Sequence, residues 1–227
     1  PLRTSSAASD VYKRQTEVRV EEDGELSFRG DNIMKGYYKN PEANAEVFDG
    51  DWFKTGDLGR IDGEGFIHIT GRKKEIYVLS GGKNVAPLVV EETMKSIPVI
   101  SQVFLVGDGR KFCSALVTLD VGVILRDNLG MNPDKVPRDP MEQIEELERR
   151  GHKLSDFVES EEVRSDIESQ ISELNKRFMN PEQIKKFTIL PRDLNIDSGE
   201  LTPTLKIRRK QIRENWADEI EAMYSEA

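Results

Sequence analysis

Two different hydrophobic periods share this chain, and together they bound what it can fold into. Between Thr16 and Thr70, apolar and polar residues alternate in Glu25-Leu26-Ser27-Phe28-Arg29, Leu58-Gly59-Arg60-Ile61-Asp62 and Phe66-Ile67-His68-Ile69-Thr70. Alternation puts every second side chain on one face of a strand. Farther on, Val163, Ile167, Ile171, Leu174 and Phe178 follow at intervals of four, four, three and four. That spacing draws one apolar stripe down a helix, which reads as core and carries no chemistry.

Turn residues punctuate the strands. Asp62-Gly63-Glu64-Gly65 joins the last two as a hairpin, and Asn40-Pro41-Glu42 opens a short helix with Asn40 as its cap. From Gly71 a second unit begins: a strand over Glu75–Leu79, a Gly-rich loop Ser80-Gly81-Gly82-Lys83-Asn84, and a helix from Pro87 to Ile97. Strands follow around Gln102–Val106 and Phe112–Leu119, then mostly helical sequence over about 121–180 with a connecting loop at Asn128–Pro140. A last strand over Lys186–Leu190 and a terminal helix over Lys206–Met223 complete the chain. The fold class expected is α+β, with an antiparallel sheet in the second unit. Ile207, Ile212, Trp216, Ile220 and Met223 fit a terminal helix that packs on its own domain, and the acidic runs Glu142–Glu148 and Glu159–Glu162 read as solvated faces.

A net charge of −9 with no clustered basic surface disfavours a nucleic-acid partner. No apolar run approaches the roughly 18 residues of a membrane-spanning helix. The lone Cys113 lies in the apolar run Phe112–Val117 and reads as a small buried hydrophobe; His68 and His152 have no ligand spacing around them, so no metal site is expected. Residues 1–15 lack apolar periodicity and resemble a translated sequencing adapter, so they are set apart as a non-native leader.

Three segments resemble the AMP-forming ligase superfamily, which includes acyl-CoA synthetases, firefly-type luciferases and peptide-synthetase adenylation domains. The first is Arg29-Gly30-Asp31-Asn32-Ile33-Met34-Lys35-Gly36-Tyr37-Tyr38 with Pro41-Glu42, then Trp52-Phe53-Lys54-Thr55-Gly56-Asp57. The second is Gly71-Arg72-Lys73-Lys74-Glu75 with Ser80-Gly81-Gly82-Lys83-Asn84-Val85-Ala86-Pro87, and the third is Gly199-Glu200-Leu201-Thr202-Pro203-Thr204-Leu205-Lys206. Lys73-Lys74-Glu75, the ending Leu-Thr-Pro-Thr-Leu-Lys and the helical insertion resemble the long-chain class in particular. The resemblance implies that residues 16–73 close a large amino-terminal adenylation domain and that residues 74–227 form the mobile carboxy-terminal domain.

It also implies roles. Lys206 matches the catalytic lysine that faces the α-phosphate, while Asp57 and Arg72 match the pair that holds the AMP ribose. Lys74 falls at the hinge, and Ser80, Gly81 and Gly82 match the loop beside the CoA pantetheine arm. The substrates implied are fatty acid, ATP and CoA. The pyrophosphate loop and the acidic ligand for Mg2+ would lie in an amino-terminal part not included here, so this chain is expected to be inactive alone. A cytoplasmic location with peripheral membrane contact follows from the same resemblance. Two other readings stand beside it: another adenylate-forming enzyme, luciferase-like or carrier-protein-loading, and a non-catalytic module that binds a nucleotide or partner.

Overall fold

The computed structural model describes residues 16–225, which fall into two units meeting between Ile76 and Tyr77. The leader read over 1–15 lies outside the described residues. In the first unit the alternating segments become strands, as their period requires. They are β1 (Thr16–Val20), β2 (Glu25–Gly30), β3 (Phe48–Asp49), β4 (Trp52–Ile61) and β5 (Ile67–Arg72). The long β4 is central, pairing antiparallel with β2, β3 and β5, while β1 extends the sheet beyond β2. Helix α1 (Pro41–Val47) starts at the expected cap, where Asn40 Oδ1 accepts the Ala43 N–H at 3.1 Å.

The second unit is built on a sheet buried on both faces. Strands β8 (Ile100–Val106) and β9 (Cys113–Leu119) pair antiparallel, and β10 (Ile184–Ile189) joins β9 in parallel. The antiparallel pairing expected for this sheet therefore holds for β8–β9, while β10 makes the sheet mixed. Val103 and Leu105 point into one core with Ala115 and Val117, whereas Phe104, Val106 and Leu116 point into another. Burial on both sides explains why these strands read as continuous apolar runs and not as alternation.

Helices α2 (Pro87–Met94), α3 (Pro140–Arg149), α4 (Leu154–Val158) and α5 (Glu161–Asn175) cover the first face. The stripe on α5 packs as expected: Val163, Ile167, Ile171 and Leu174 are buried, with Phe178 half-buried against them. Helices α6 (Arg209–Asn215) and α7 (Ala217–Ser225) cover the second face through Ile212, Trp216, Ile220 and Met223.

Three expectations need correction. The strand expected over Glu75–Leu79 shrinks to β6 (Tyr77–Val78), because Lys73–Glu75 forms a 3-10 turn. The helix expected to reach Ile97 stops at Met94, within reach of Pro98, whose ring disfavours helical backbone at the residue before it. The single terminal helix is two, broken at Trp216, whose φ of −117° and ψ of 32° leave the helical region.

Cys113 is fully buried, and its Sγ donates to the Pro181 carbonyl at 3.3 Å. Burial, with a smaller contribution from Glu182, pushes its thiol up to about 11, so it is no nucleophile at neutral pH. Ile167 is fully buried in the stripe of α5. Ile167→Ala should destabilise the second unit by about 2–5 kcal/mol, measured by urea unfolding; a change under about 0.5 kcal/mol would contradict the packing described.

Candidate functional site

In the first unit, Asp57 sits in a strand and not in the tight turn its Thr-Gly neighbours suggest. Glu25 pairs with Leu58 and Ser27 with Lys54, so two steps along β2 are matched by four along β4. The surplus is a bulge at Thr55-Gly56-Asp57, and bulges re-aim side chains. Gly56 takes φ of +74°, a conformation that costs glycine little. Glu25 Oε1 accepts its N–H at 2.8 Å, and Thr55 Oγ1 accepts the Asp57 N–H at 3.0 Å while donating to the Leu26 carbonyl at 2.8 Å.

The bulge leaves Asp57 directly opposite Arg72 on β5, with Arg72 Nε donating to Asp57 Oδ1 at 2.9 Å. The structure thus brings these two expected residues together. The Arg72 side chain is 61% exposed against 25% for Asp57, so the guanidinium keeps free donors toward solvent. Arg72 lines a cleft of about 460 Å³ with Tyr37, Lys54, Thr55, Gly56 and Lys74.

Lys73, given no role of its own in the sequence, anchors this region. Its ammonium donates to Asp23 at 2.6 Å and to Glu25 at 2.9 Å, and those bonds, Asp23 first, raise its pKa above the usual lysine range. Lys74, at the rim of that cleft, is largely exposed, and among the described residues its ammonium has one ion pair, to Glu46 at 3.4 Å.

In the second unit, Ser80, Gly81 and Gly82 form the exposed tip of a hairpin between β6 and β7 (Asn84–Val85). The expected strand-to-helix loop is therefore a hairpin turn, closed by Gly82 N–H to the Leu79 carbonyl at 2.8 Å and Leu79 N–H to the Lys83 carbonyl at 2.9 Å. Gly82 needs its φ of +73°, but a Cβ on Gly81 would meet nothing within 4 Å. Nothing in its own unit requires glycine at Gly81.

Lys206 also lies on a small hairpin. Leu201 bridges Ile207, the Thr202 N–H reaches the Lys206 carbonyl at 2.9 Å, and the Lys206 N–H returns to Thr202 Oγ1 at 3.0 Å. The turn passes through Leu205 at φ of +59°, a left-handed conformation uncommon outside glycine and asparagine. Lys206 is exposed, and no ion pair to its ammonium is found among the described residues.

The two hairpins are fastened to one framework. Arg209, just past Lys206, donates twice to Glu91 at 2.7 Å and once to the Tyr77 hydroxyl at 3.1 Å, at the foot of the Gly-rich hairpin. Glu91 is 3% exposed and also accepts the Leu105 N–H at 2.9 Å. Among the described residues no group of three or more acidic, His or Cys side chains is placed to hold a metal ion. No helix among the described residues is long and apolar enough to cross a membrane.

Residues 74–156 and 147–227 match the family model of the AMP-binding enzyme C-terminal domain. The chain belongs to that family. It is 40% identical over 213 residues to long-chain-fatty-acid–CoA ligase FadD15 of Mycobacterium tuberculosis, covering 92% of this chain and 32% of the relative. It is 36% identical over 208 residues to the human long-chain-fatty-acid–CoA ligase ACSBG1, covering 89% and 28%. The chain thus spans about a third of the length of the curated relatives it matches.

Among solved structures it shares the fold of the adenylation domain of carboxylic acid reductase from Segniliparus rugosus, bound to AMP and a co-purified carboxylic acid. The TM-score is 0.64 at 23% identity, over 93% of this chain and 31% of that one. It also shares that of O-succinylbenzoate Coenzyme A synthetase from Bacillus subtilis with AMP, with a TM-score of 0.54 at 23% identity, over 88% and 34%. The turn before Lys206 carries leucine at a strained position. Leu205→Gly should therefore leave stability unchanged or slightly raised, as relief of roughly 1–2 kcal/mol of strain offsets the added entropy of the unfolded chain. Leu205→Ile, β-branched, should lose roughly 1 kcal/mol or more. Chemical unfolding of both variants tests this, and a stabilising isoleucine would refute it.

Proposed function

We propose that this chain is the carboxy-terminal part of a long-chain fatty-acid–CoA ligase. The observation that carries the reading is Lys206, an exposed ammonium on a hydrogen-bonded hairpin, in a chain 40% identical to such a ligase over nearly its whole length.

The reaction has two steps. A fatty-acid carboxylate oxygen attacks the α-phosphorus of ATP, the bond to the β-phosphate breaks, and pyrophosphate leaves an acyl-AMP. The CoA sulfur then attacks the acyl carbonyl, and the carbon–oxygen bond to AMP breaks. Negative charge concentrates on the phosphate in the first transition state, and a positioned ammonium stabilises it there. That is the role assigned to Lys206.

Asp57 is assigned the ribose hydroxyls. Its contact with Arg72 holds the carboxylate in place and leaves donors on the guanidinium for the nucleotide. Ser80, Gly81 and Gly82 are assigned the pantetheine arm. Support comes from the open space beside Gly81, where bare backbone lets a chain pass close. Lys74, exposed and held by one long contact, is assigned the hinge about which the second unit reorients between the steps. Acceptor identity separates this reading from a carrier-protein-loading relative, since CoA and a carrier thiol can be offered side by side.

The test places residues 16–227 in FadD15 in place of its matched segment and follows palmitoyl-AMP and palmitoyl-CoA. The chimera should make both, while the 227-residue chain alone should make no acyl-AMP. Lys206→Ala should slow adenylation by about a hundredfold or more, the scale of losing one transition-state charge partner. Thioester formation from supplied acyl-AMP should be largely spared. A folded chimera without adenylation, or adenylation indifferent to Lys206→Ala, would overturn the proposal.

A further inference from the structure

Among the described residues Lys206 has no side-chain partner to aim it, so its position is inherited from the root of its hairpin, and at that root lies a buried charge. The Glu200 side chain is completely buried. Five donors converge on its two oxygens. Arg192 supplies two at 2.7 and 2.8 Å, the Asn195 N–H one at 3.1 Å, Asn215 Nδ2 one at 3.1 Å, and Trp216 Nε1 one at 2.8 Å. The same residue's carbonyl accepts the Arg208 N–H at 2.8 Å, closing the strand pair on both sides of Lys206.

We infer that Glu200 is a positioning residue for Lys206, clamping the hairpin root to the end of α6 and to the Arg192–Asn195 segment so that the ammonium is held in one place for adenylation. The inference rests on the catalytic reading of Lys206 given above. Beyond the root, the hairpin is held by its own Thr202 bonds, and residues 203–206 are exposed. Five hydrogen bonds from two separate stretches of chain, Arg192–Asn195 and Asn215–Trp216, therefore fix the end that touches the core. A buried carboxylate could instead merely hold the fold together, and that alternative makes different demands: it would loosen the whole unit and slow both half-reactions alike.

The experiment compares Glu200→Gln, which keeps the shape and removes the charge, with Arg192→Gln, which disturbs the clamp from its more exposed side. In the 227-residue chain, amide hydrogen exchange at Thr202, Lys206 and Arg208 should speed up about tenfold or more, with Phe104 and Leu116 in the sheet unchanged. In the FadD15 chimera the same variants should slow adenylation about ten- to a hundredfold, the scale of a small misplacement, with thioester formation from supplied acyl-AMP little altered. Unchanged exchange at the three hairpin amides, or equal loss in both half-reactions, would overturn the inference. If Lys206→Ala itself spares adenylation, the catalytic reading falls, while exchange still reports whether Glu200 holds the hairpin.

Discussion

Burial of both faces of the β8–β9 pair is the constraint on which the second unit depends. Every residue from Cys113 to Leu119 is buried, so the sheet needs helices on each side. One layer comes from the long helical stretch before β10. The other has to come from the chain beyond β10, and α6 and α7 supply it, with Ile212, Trp216, Ile220 and Met223 filling the second core. The connection from β10 to α6 therefore has fixed ends, and Lys206 sits on it. An exposed hairpin is tied down by the hydrophobic demand of a sheet it does not belong to.

Much of this was legible in the residues. Period-two alternation gave the first sheet, the four-four-three-four stripe gave the buried face of α5, and Asn40-Pro41 gave the start of α1. What stayed hidden depended on contacts distant in sequence. Trp216 breaks the terminal helix while its ring packs in the second core and its Nε1 reaches Glu200, and no local propensity announces that. The bulge at Thr55–Asp57 exists only relative to β2, so Asp57 looked like a turn residue. Leu205 in a left-handed turn runs against local preference, and places of that kind concentrate where a chain serves something other than its own stability.

The polar groups of the candidate site follow the same division. The family match and the matched motifs could be anticipated residue by residue, whereas the facing of Asp57 and Arg72 depends on the bulge and could not. Glu25, Lys73, Glu91, Arg192 and Glu200 could not, because a charged residue in a surface-rich sequence gives no sign that it will be buried and paired. Their cost explains their arrangement. A buried carboxylate is tolerated only with its hydrogen bonds completed, and removing one partner is expensive even where the pair adds little net stability. Glu91 and Glu200 each meet a forked guanidinium and further donors, so each fixes geometry more than it stabilises the fold.

The two lysines Lys73 and Lys206 show what a difference in surroundings does to an ammonium. Lys73 is held between Asp23 and Glu25, so its charge is cancelled within a few ångströms and it presents little field to an arriving phosphate. Holding an ammonium by carboxylates fixes its place at the expense of its charge. Lys206 resolves that conflict the other way: the main chain is fixed by hydrogen bonds, while no ion pair to the ammonium is found among the described residues. An exposed ammonium so mounted keeps its full charge, loses no solvation until a ligand arrives, and needs rigidity only in the backbone beneath it. That combination suits the role proposed for Lys206, stabilising a transient charge on phosphate.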